Sequence, residues 1–524
     1  MKYPENNCTK FYCIGQIRWQ TLLFCANLNQ MRKREVKIPE EILAIARKLE
    51  EAGWEAHLVG GCVRDFLLGI APKDWDITTN ANPLEIQKIF PESAYENVFG
   101  TVAIKTGSEE PTLKIVEITT FRKEGKYTDK RHPDEIKFAK NIEEDLSRRD
   151  FTINAIAIGL TTSHQSLTTS IIDPFGGQID LKNKIIRTVG VPHERFTEDA
   201  LRLMRAGRLA TELGFEIEDE TINSIKKHAG LLEVIARERI RDEFVKIITA
   251  KNAASGIQLL EDLGLLKYIL PELREGIGVG QNKHHIYTVW EHNLRALNYS
   301  AEKDYSLELR LASLLHDVGK PKTKVGEGLN STFYNHEVVG AKMAARALDR
   351  LHFSKALIEK VVHLVRYHLF YYNVGEVTEA GVRRFLRRVG PENVDDFIKL
   401  READRIGSGV PKAVPYKLRH LLFMIEKVKA DPISPKMLKV NGEDVMRILS
   451  IPPGPKVGQI LAVLLEEVID EPEKNDKNNL ESKMQGLGKL SEKQLEKLAR
   501  QARDKKEEFE SGLEEGMKKK YYVR

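Results

Sequence analysis

Cysteine is almost missing from the body of this sequence. Of four, Cys8, Cys13 and Cys25 crowd the first residues and only Cys62 lies further on. One thiol cannot build a disulfide framework, so a stapled secreted scaffold is excluded and a reducing, cytoplasmic setting is expected. No apolar run approaches the roughly 20 residues that span a bilayer, so no membrane helix is expected. The opening residues lack a basic start followed by an unbroken apolar stretch, which argues against a signal peptide. No internal repeat is visible, which excludes a solenoid. Charge of one sign is also scarce in net terms. The 82 Lys and Arg against 77 Asp and Glu leave +5, too little for the whole-molecule field to attract a polyanion. Any nucleic-acid site must be a local patch.

What is present is length and pattern. At 524 residues the chain exceeds one compact core, and two to four domains are expected. Residues 1–30 read as an extension, either disordered or a misplaced start, because a conventional charged and then amphipathic stretch begins at Met31. Apolar residues at helical spacing (Ile42, Leu43, Ile45, Ala46, Leu49) predict a helix that Gly53 closes. Short β-type runs then alternate with turns to about Leu160: HLVGG, WDITT, TVAIKT, KIVEITTF and INAIAIG. Beyond Asp180 the β signal nearly vanishes and helical patterns dominate from about Glu198 to Val468. The predicted class is α+β: a small mixed head followed by an elongated all-α body.

The sharpest motif is GGCVRDFLLGIAPKDWDITT, Gly60 to Thr79. A glycine pair after an apolar strand lets backbone amides approach a phosphate with no Cβ in the way. Arg64 follows where a guanidinium can clamp the same group. Asp74 and Asp76, two apart on a predicted strand, place their carboxylates on one side. That is what paired Mg²⁺ ions need to activate a hydroxyl and neutralise a leaving diphosphate. D-x-D alone is usually a solvated turn; the upstream GG-x-x-RD makes it a metal site. Glu117 reads equally as a third acidic neighbour or as a partly exposed sheet residue.

With these residues the sequence resembles the class II nucleotidyltransferases of the DNA polymerase beta superfamily, specifically bacterial CCA-adding enzymes. The resemblance runs from about Ile38 to Val468 through VEITTFRKEGKYTDKRHP, EEDLSRRDFTINAIAI, DPFGGQIDLKNKIIRTVG, RFTEDALRLMRAGRLA and RERIRDEFVKII. It implies that Gly61, Arg64 and Arg149 contact the incoming nucleotide and that Asp74 and Asp76 are catalytic and bind Mg²⁺. It further implies that Asp199, Arg202, Arg205 and Arg208 form the nucleotide-selecting helix, and that CTP, ATP and tRNA are the partners.

The selecting stretch also has a chemical reading. Asp199 and Arg202, three apart, are expected as neighbours on one face of a helix Glu198–Arg208. Such spacing is ordinarily a surface ion-pair ladder. Cytosine and adenine, however, both present an exocyclic amine beside an unprotonated ring nitrogen. A carboxylate accepts from the first while a guanidinium donates to the second, and uracil and guanine reverse the pattern.

Histidines cluster separately. Eight of the 14 fall between His284 and His368, in HHIYTVWEHN, LASLLHDVGKPKT, FYNHEVVGA and VVHLVRYH, with Asp404 in READRIG. Imidazoles and aspartates on successive helices can converge on divalent transition metals, and metal-bound hydroxide cleaves phosphoesters. The set resembles the HD phosphohydrolase superfamily, which implies His292, His316, Asp317, His336 and Asp404 as ligands, with His363 or His368 joining a second metal.

The expected organisation is an extension (1–30), a nucleotidyltransferase head (31–175) and a helical neck with the selecting helix and RNA-binding region (176–275). An HD domain (276–410), a helical body (411–472) and a charged tail, helical or disordered (473–524), follow. In the body, Lys436, Lys439 and Lys456 are candidates for tRNA phosphates, with a solvated helical face as the competing view. The expected activity is CCA addition. The alternatives are A-only or poly(A) addition, and an HD phosphohydrolase whose head only binds RNA.

Overall fold

The structure is a computed structural model that describes residues 37–95, 100–124, 136–163, 166–282, 286–370, 372–429 and 435–523. The expected extension at 1–30, the GKYTDKRHP part of the head motif, and His284 lie outside the described residues. The chain divides into two units, Met1–Pro271 and Glu272–Arg524.

The first unit is built on one mixed sheet. Its strands are β1 (His57–Val59), β2 (Asp76–Thr79), β3 (Ala94–Tyr95), β4 (Thr101–Lys105), β5 (Ile115–Thr120), β8 (Ala157–Ser163) and β9 (Ser166–Ile172), in the spatial order β3-β4-β5-β2-β1-β8-β9. A side ribbon pairs β6 (Arg122–Glu124) with β7 (Ile136–Phe138). β-Branched residues fill the central strands: Ile77, Thr78 and Thr79 in β2; Ile115, Val116, Ile118, Thr119 and Thr120 in β5. β2 lies between β1 and β5 and pairs with β5 in parallel, Asp76 opposite Glu117. Ile77, Thr78 and Thr79 are buried in succession, so this central strand is covered on both faces.

Helices close the sheet as the sequence foretells. Glu40–Glu51 buries Ile42, Ile45, Ala46 and Leu49, and Gly53 beyond it takes φ +85°. Pro83–Ile89 opens with Asn82 and Glu85 in a reciprocal capping box. Phe121, Leu146, Ala155, Ala157 and Val59 share a core beneath the sheet. Two expectations are corrected locally. Asp74 sits in a bend just before β2 and not on the strand, because pairing with β5 begins only at Asp76. β9 was not foreseen; its sequence SLTTSII is mostly polar, and its seven residues are held by pairing with β8.

The second unit is built of helices, with one isolated bridge, Val325 to Thr332, among its described residues. A further hydrophobic cluster joins Leu438, Val445, Ile460 and Leu464 to Leu480, Met484 and Leu495. Residues on both sides of the expected boundary at 472 therefore share one core. The final helix, Glu492–Tyr521, is tied to the helix Tyr416–Lys429 by Lys427–Glu514 at 2.7 Å and Lys520–Glu426 at 2.8 Å. Lys456 donates to the carbonyl of Gly488 at 3.1 Å, so it caps a helix end, whereas Lys436 and Lys439 are exposed.

Candidate functional site

The turn after β1 carries the first site. Gly60 adopts φ +80°, a region open to glycine at little cost, and starts the helix Gly61–Leu67. A Cβ on Gly60 would stand 3.0 Å from Arg149 Nη1 and 3.5 Å from Asp76 Oδ2, so a bare backbone here lets the guanidinium and the carboxylate close in. At Gly61 the nearest atom, Arg64 Nη2, would be an ordinary 3.6 Å away. The stricter requirement therefore falls on Gly60, which the sequence reading had grouped with Gly61 without singling it out.

Asp74 is exposed and Asp76 partly buried. Burial first, then the charge of Asp74 and, more weakly, Glu117 push the Asp76 carboxyl up to about 6, against the opposing pull of Arg149. Glu117 thus stands beside Asp76 both in register and electrostatically, which favours the acidic-neighbour reading. Asp74, Asp76 and Glu117 offer oxygen donors of the kind a hard divalent cation takes, but the convergent ligand groups among the described residues do not include these three.

The cationic side is rigidly braced. Arg64 donates from Nη1 to Asn154 Oδ1 at 2.9 Å and pairs with Asp65 at 2.7 Å. Asn154 in turn donates to Asp150 at 3.1 Å, and Arg205 donates to the other Asp150 oxygen at 2.6 Å. Burial would raise the Asp150 carboxyl, but Arg205 and Asn154 outweigh it and hold it below the usual range. A hydrogen-bonded relay thus joins Arg64 to Arg205. Arg149 reaches the buried Asp145 at 3.3 Å.

The expected single helix Glu198–Arg208 is in fact two, Pro192–Glu198 and Leu201–Leu213. Asp199 between them is extended, φ −132° and ψ 106°. Its carboxylate accepts from the Leu201 amide at 3.0 Å and forms a salt bridge with Arg239 at 2.9 Å. Arg202 is buried and engaged by Glu198 at 2.5 Å and by the carbonyl of Arg148 at 3.0 Å. Asp199 and Arg202 are therefore not two rungs of one helical face. Asp is a strong helix-start residue, and that signal in TEDALR marks the break. Arg208 is drawn to Glu243 at 2.6 Å and to Glu212 at 2.9 Å.

The second site lies in the second unit. Thr288 and Glu291 form a capping box that begins the helix Val289–Glu302, which carries His292. His316 and Asp317 follow the helix Leu307–Leu315, His336 opens His336–Arg350, His368 follows Lys355–Tyr367, and Asp404 lies in Val394–Gly407. Gly319 allows the close approach: a Cβ there would meet the His336 carbonyl oxygen at 2.2 Å.

Two triads of ligand atoms converge, His292–His316–Asp404 and Asp317–His336–His368, all six residues buried. Asp317 bridges them, 3.0 Å from His292 and 3.2 Å from His336. The five expected ligands come together here. His368 joins them, 3.6 Å from Asp317, whereas His363 turns away to the Val389 carbonyl at 2.7 Å. Burial would raise Asp317, but Lys320, at 2.5 Å, and the histidines hold it well below its ordinary value. Burial would lower His292; hydrogen bonds to Asp317 and Asp404 instead raise it to about 9. Six nitrogen and carboxylate donors in two buried sets fit paired divalent metals. The centre opens into a cavity of about 580 Å³ also lined by Lys320, Tyr334, Leu369, Arg401 and Arg405. Sequence reasoning had missed the last two: an arginine near an aspartate on a helix reads first as a surface ion pair.

The poly A polymerase head domain family matches residues 56–187, the family described as a probable RNA and SrmB-binding site of polymerase A matches 214–277, and the HD domain family matches 289–405. The chain is 34% identical over 454 residues to the CCA-adding enzyme of Ligilactobacillus salivarius, covering 84% of this chain and 96% of that protein. The chain belongs to the CCA-adding enzyme family.

Within this family the chain is also 34% identical over 424 residues to the A-adding tRNA nucleotidyltransferase of Deinococcus radiodurans, covering 78% of this chain and 91% of that one. The crystal structure of the Bacillus stearothermophilus CCA-adding enzyme in complex with CTP matches with a TM-score of 0.54 at 29% identity, over 86% of this chain and 98% of that chain. CCA-adding family membership agrees with a head sheet that ends in carboxylates beside a glycine turn. No helix among the described residues is long and apolar enough to cross a membrane.

Proposed function

We propose that this chain is a template-independent tRNA nucleotidyltransferase that builds or repairs the 3′-terminal CCA from CTP and ATP, releasing diphosphate, in the cytoplasm. The observation that carries the reading is Asp76 in register with Glu117 beside the Gly60 turn, with Arg149 against the same turn. Asp74 and Asp76 would hold Mg²⁺, which when bound supplies charge neutralisation and hydroxyl activation. Gly60 and Gly61 leave backbone amides open to the triphosphate, and Arg64 and Arg149, already braced, clamp it without reorganising. The RNA 3′ hydroxyl attacks the α-phosphate in line, and diphosphate leaves. Asp199 and Arg202 read the amine and ring nitrogen shared by cytosine and adenine, with Arg205 and Arg208 supporting their helix.

The test offers tRNA transcripts ending before CCA, after C and after CC, each with single nucleotide triphosphates. CTP and then ATP incorporated in order is the expected result. Incorporation of ATP alone, and only on the CC-ending transcript, would assign the A-adding activity instead.

The two buried triads support a second, separate activity: metal-dependent hydrolysis of a phosphoester on a nucleotide or RNA end. The expected ions are divalent transition metals, since imidazole nitrogens dominate the donors. Hydrolysis of a phosphoester by the full chain, abolished by His316→Ala while nucleotide addition persists, is the expected result; no hydrolysis with any divalent metal would sink this reading.

A further inference from the structure

The helix Glu379–Val389 carries a feature that neither site uses. Its buried side is apolar (Val382, Leu386 and Val389), with Phe385 packed at a tilt against Phe370, 4.9 Å between centroids. Opposite lie Arg383, Arg384, Arg387 and Arg388, all exposed. At 100° per residue they span an arc of about 140°, in two rows of one turn each. Arg383–Arg387 and Arg384–Arg388 are like charges at i,i+4, a spacing that destabilises a helix.

Nearby acids relieve the repulsion at Arg383 alone. Glu379 pairs with Arg383 at 3.1 Å and with Lys427 at 3.6 Å. Asp395 is taken by Lys399 at 2.6 Å and Asp396 by Lys360 at 2.5 Å. Among the described residues, Arg384, Arg387 and Arg388 have no acidic partner within salt-bridge distance. Arginine forks match phosphate oxygens in pairs, and no aromatic residue shares this arc to stack on a base. Such a face reads a phosphate backbone and no sequence. A chain of net charge +5 needs a local patch of this kind to hold a polyanion.

We propose that the arginine face of the Glu379–Val389 helix is a docking surface for the phosphate backbone of the structured RNA that this chain extends. This rests on the nucleotidyltransferase reading above. An acidic protein is the competing occupant.

The experiment uses the full chain and a tRNA transcript ending before CCA. Arg384→Glu, Arg387→Glu and Arg388→Glu are combined, and a second variant replaces the same three by Lys. All three side chains are exposed, so the Glu variant should fold with at most a modest fall in melting temperature, since acids in the last turn oppose the helix dipole. For the Glu variant, KM for tRNA should rise tenfold or more, with kcat and KM for CTP within twofold of wild type. The log–log salt dependence of tRNA affinity should be shallower by about two to three, since each of the three lost phosphate contacts removes about 0.7–0.9 of slope. The Lys variant should keep most of the slope. Unchanged KM for tRNA and unchanged slope overturn the proposal, and an acidic protein then becomes the occupant to seek. Wild type that extends no transcript would sink the nucleotidyltransferase reading instead, a different outcome.

Discussion

Asp199 accepts a salt bridge from Arg239 at 2.9 Å, across 40 residues of sequence. The carboxylate proposed to read the base is thus oriented from a second helix, Arg237–Thr249, as well as by the Leu201 amide at 3.0 Å. Arg239 is a positioning residue for that carboxylate. Arg239→Gln should raise misincorporation of UTP and GTP while leaving KM for tRNA within about threefold, and Arg239→Lys should restore part of the selectivity. Asp199→Ala should relax base choice more strongly than Arg239→Gln. Single-nucleotide incorporation on a CC-ending transcript checks both, and unaltered discrimination in both variants would refute the base-reading role.

Gly60→Ala places a methyl 3.0 Å from Arg149 Nη1 at a φ of +80°. Backbone strain at such a position costs on the order of 1–3 kcal/mol. The variant should fold with a lowered melting temperature yet lose at least a hundredfold in kcat, because the Arg149 guanidinium must give way at the turn. Gly61→Ala, with its nearest atom at 3.6 Å, should fold normally and lose less. Equal kcat for the two variants would show that the turn does not hold the site.

The raised Asp76 carboxyl sets a pH dependence. With a folded value of about 6 against an ordinary 3.8, its contribution to stability is present at low pH and is lost as pH rises through about 6, where a buried charge forms. Binding of Mg²⁺ requires that charge. The rise in melting temperature on adding Mg²⁺ should therefore be small at pH 5 and larger at pH 7.5. Asp76→Asn should abolish both the shift and its pH dependence. A magnesium shift that is flat across this range would contradict the assignment.

At the second site, His292 is raised to about 9, so the metal-free centre is protonated there at neutral pH. Metal uptake must displace that proton. Titration calorimetry with Mn²⁺ or Ni²⁺ in buffers of different ionisation enthalpy should show proton release near pH 7 that falls as pH rises past 9. His292→Ala should reduce the release; burial lowers the His336 imidazole, but its hydrogen bond to Asp317 raises it overall, so it supplies the remainder. Asp74→Ala should leave it intact while ending nucleotide addition, which separates the two centres. Release undiminished in His292→Ala would place the proton elsewhere.

Much of this was legible in the chain. The glycine pair and the β-branched runs specify a tight turn and strands because each depends on local backbone freedom and on alternation, whereas of the D-x-D only Asp76 lies on a strand. The five HD ligands were legible as a set because histidine and aspartate are rarely spent in such order on apolar helices. What local pattern could not supply was partnership. Spacing suggested Asp199 beside Arg202, but a helix break redirects Asp199 to Arg239. It left His363 and His368 equivalent, yet only His368, at a helix end, turns inward. It also made the charged tail look solvent-bound, although Leu480, Met484 and Leu495 bury against Ile460 and Leu464.

The sequence by itself determined the elements, their order and the inventory of chemical groups, since these follow from torsional preference and hydrophobic period along the chain. Only the tertiary structure decided which carboxylate stands beside Glu117, which arginine holds Asp199 and which histidines share Asp317. Those pairings depend on sheet register and on close approach at Gly60 and Gly319, distances that no one-dimensional spacing encodes.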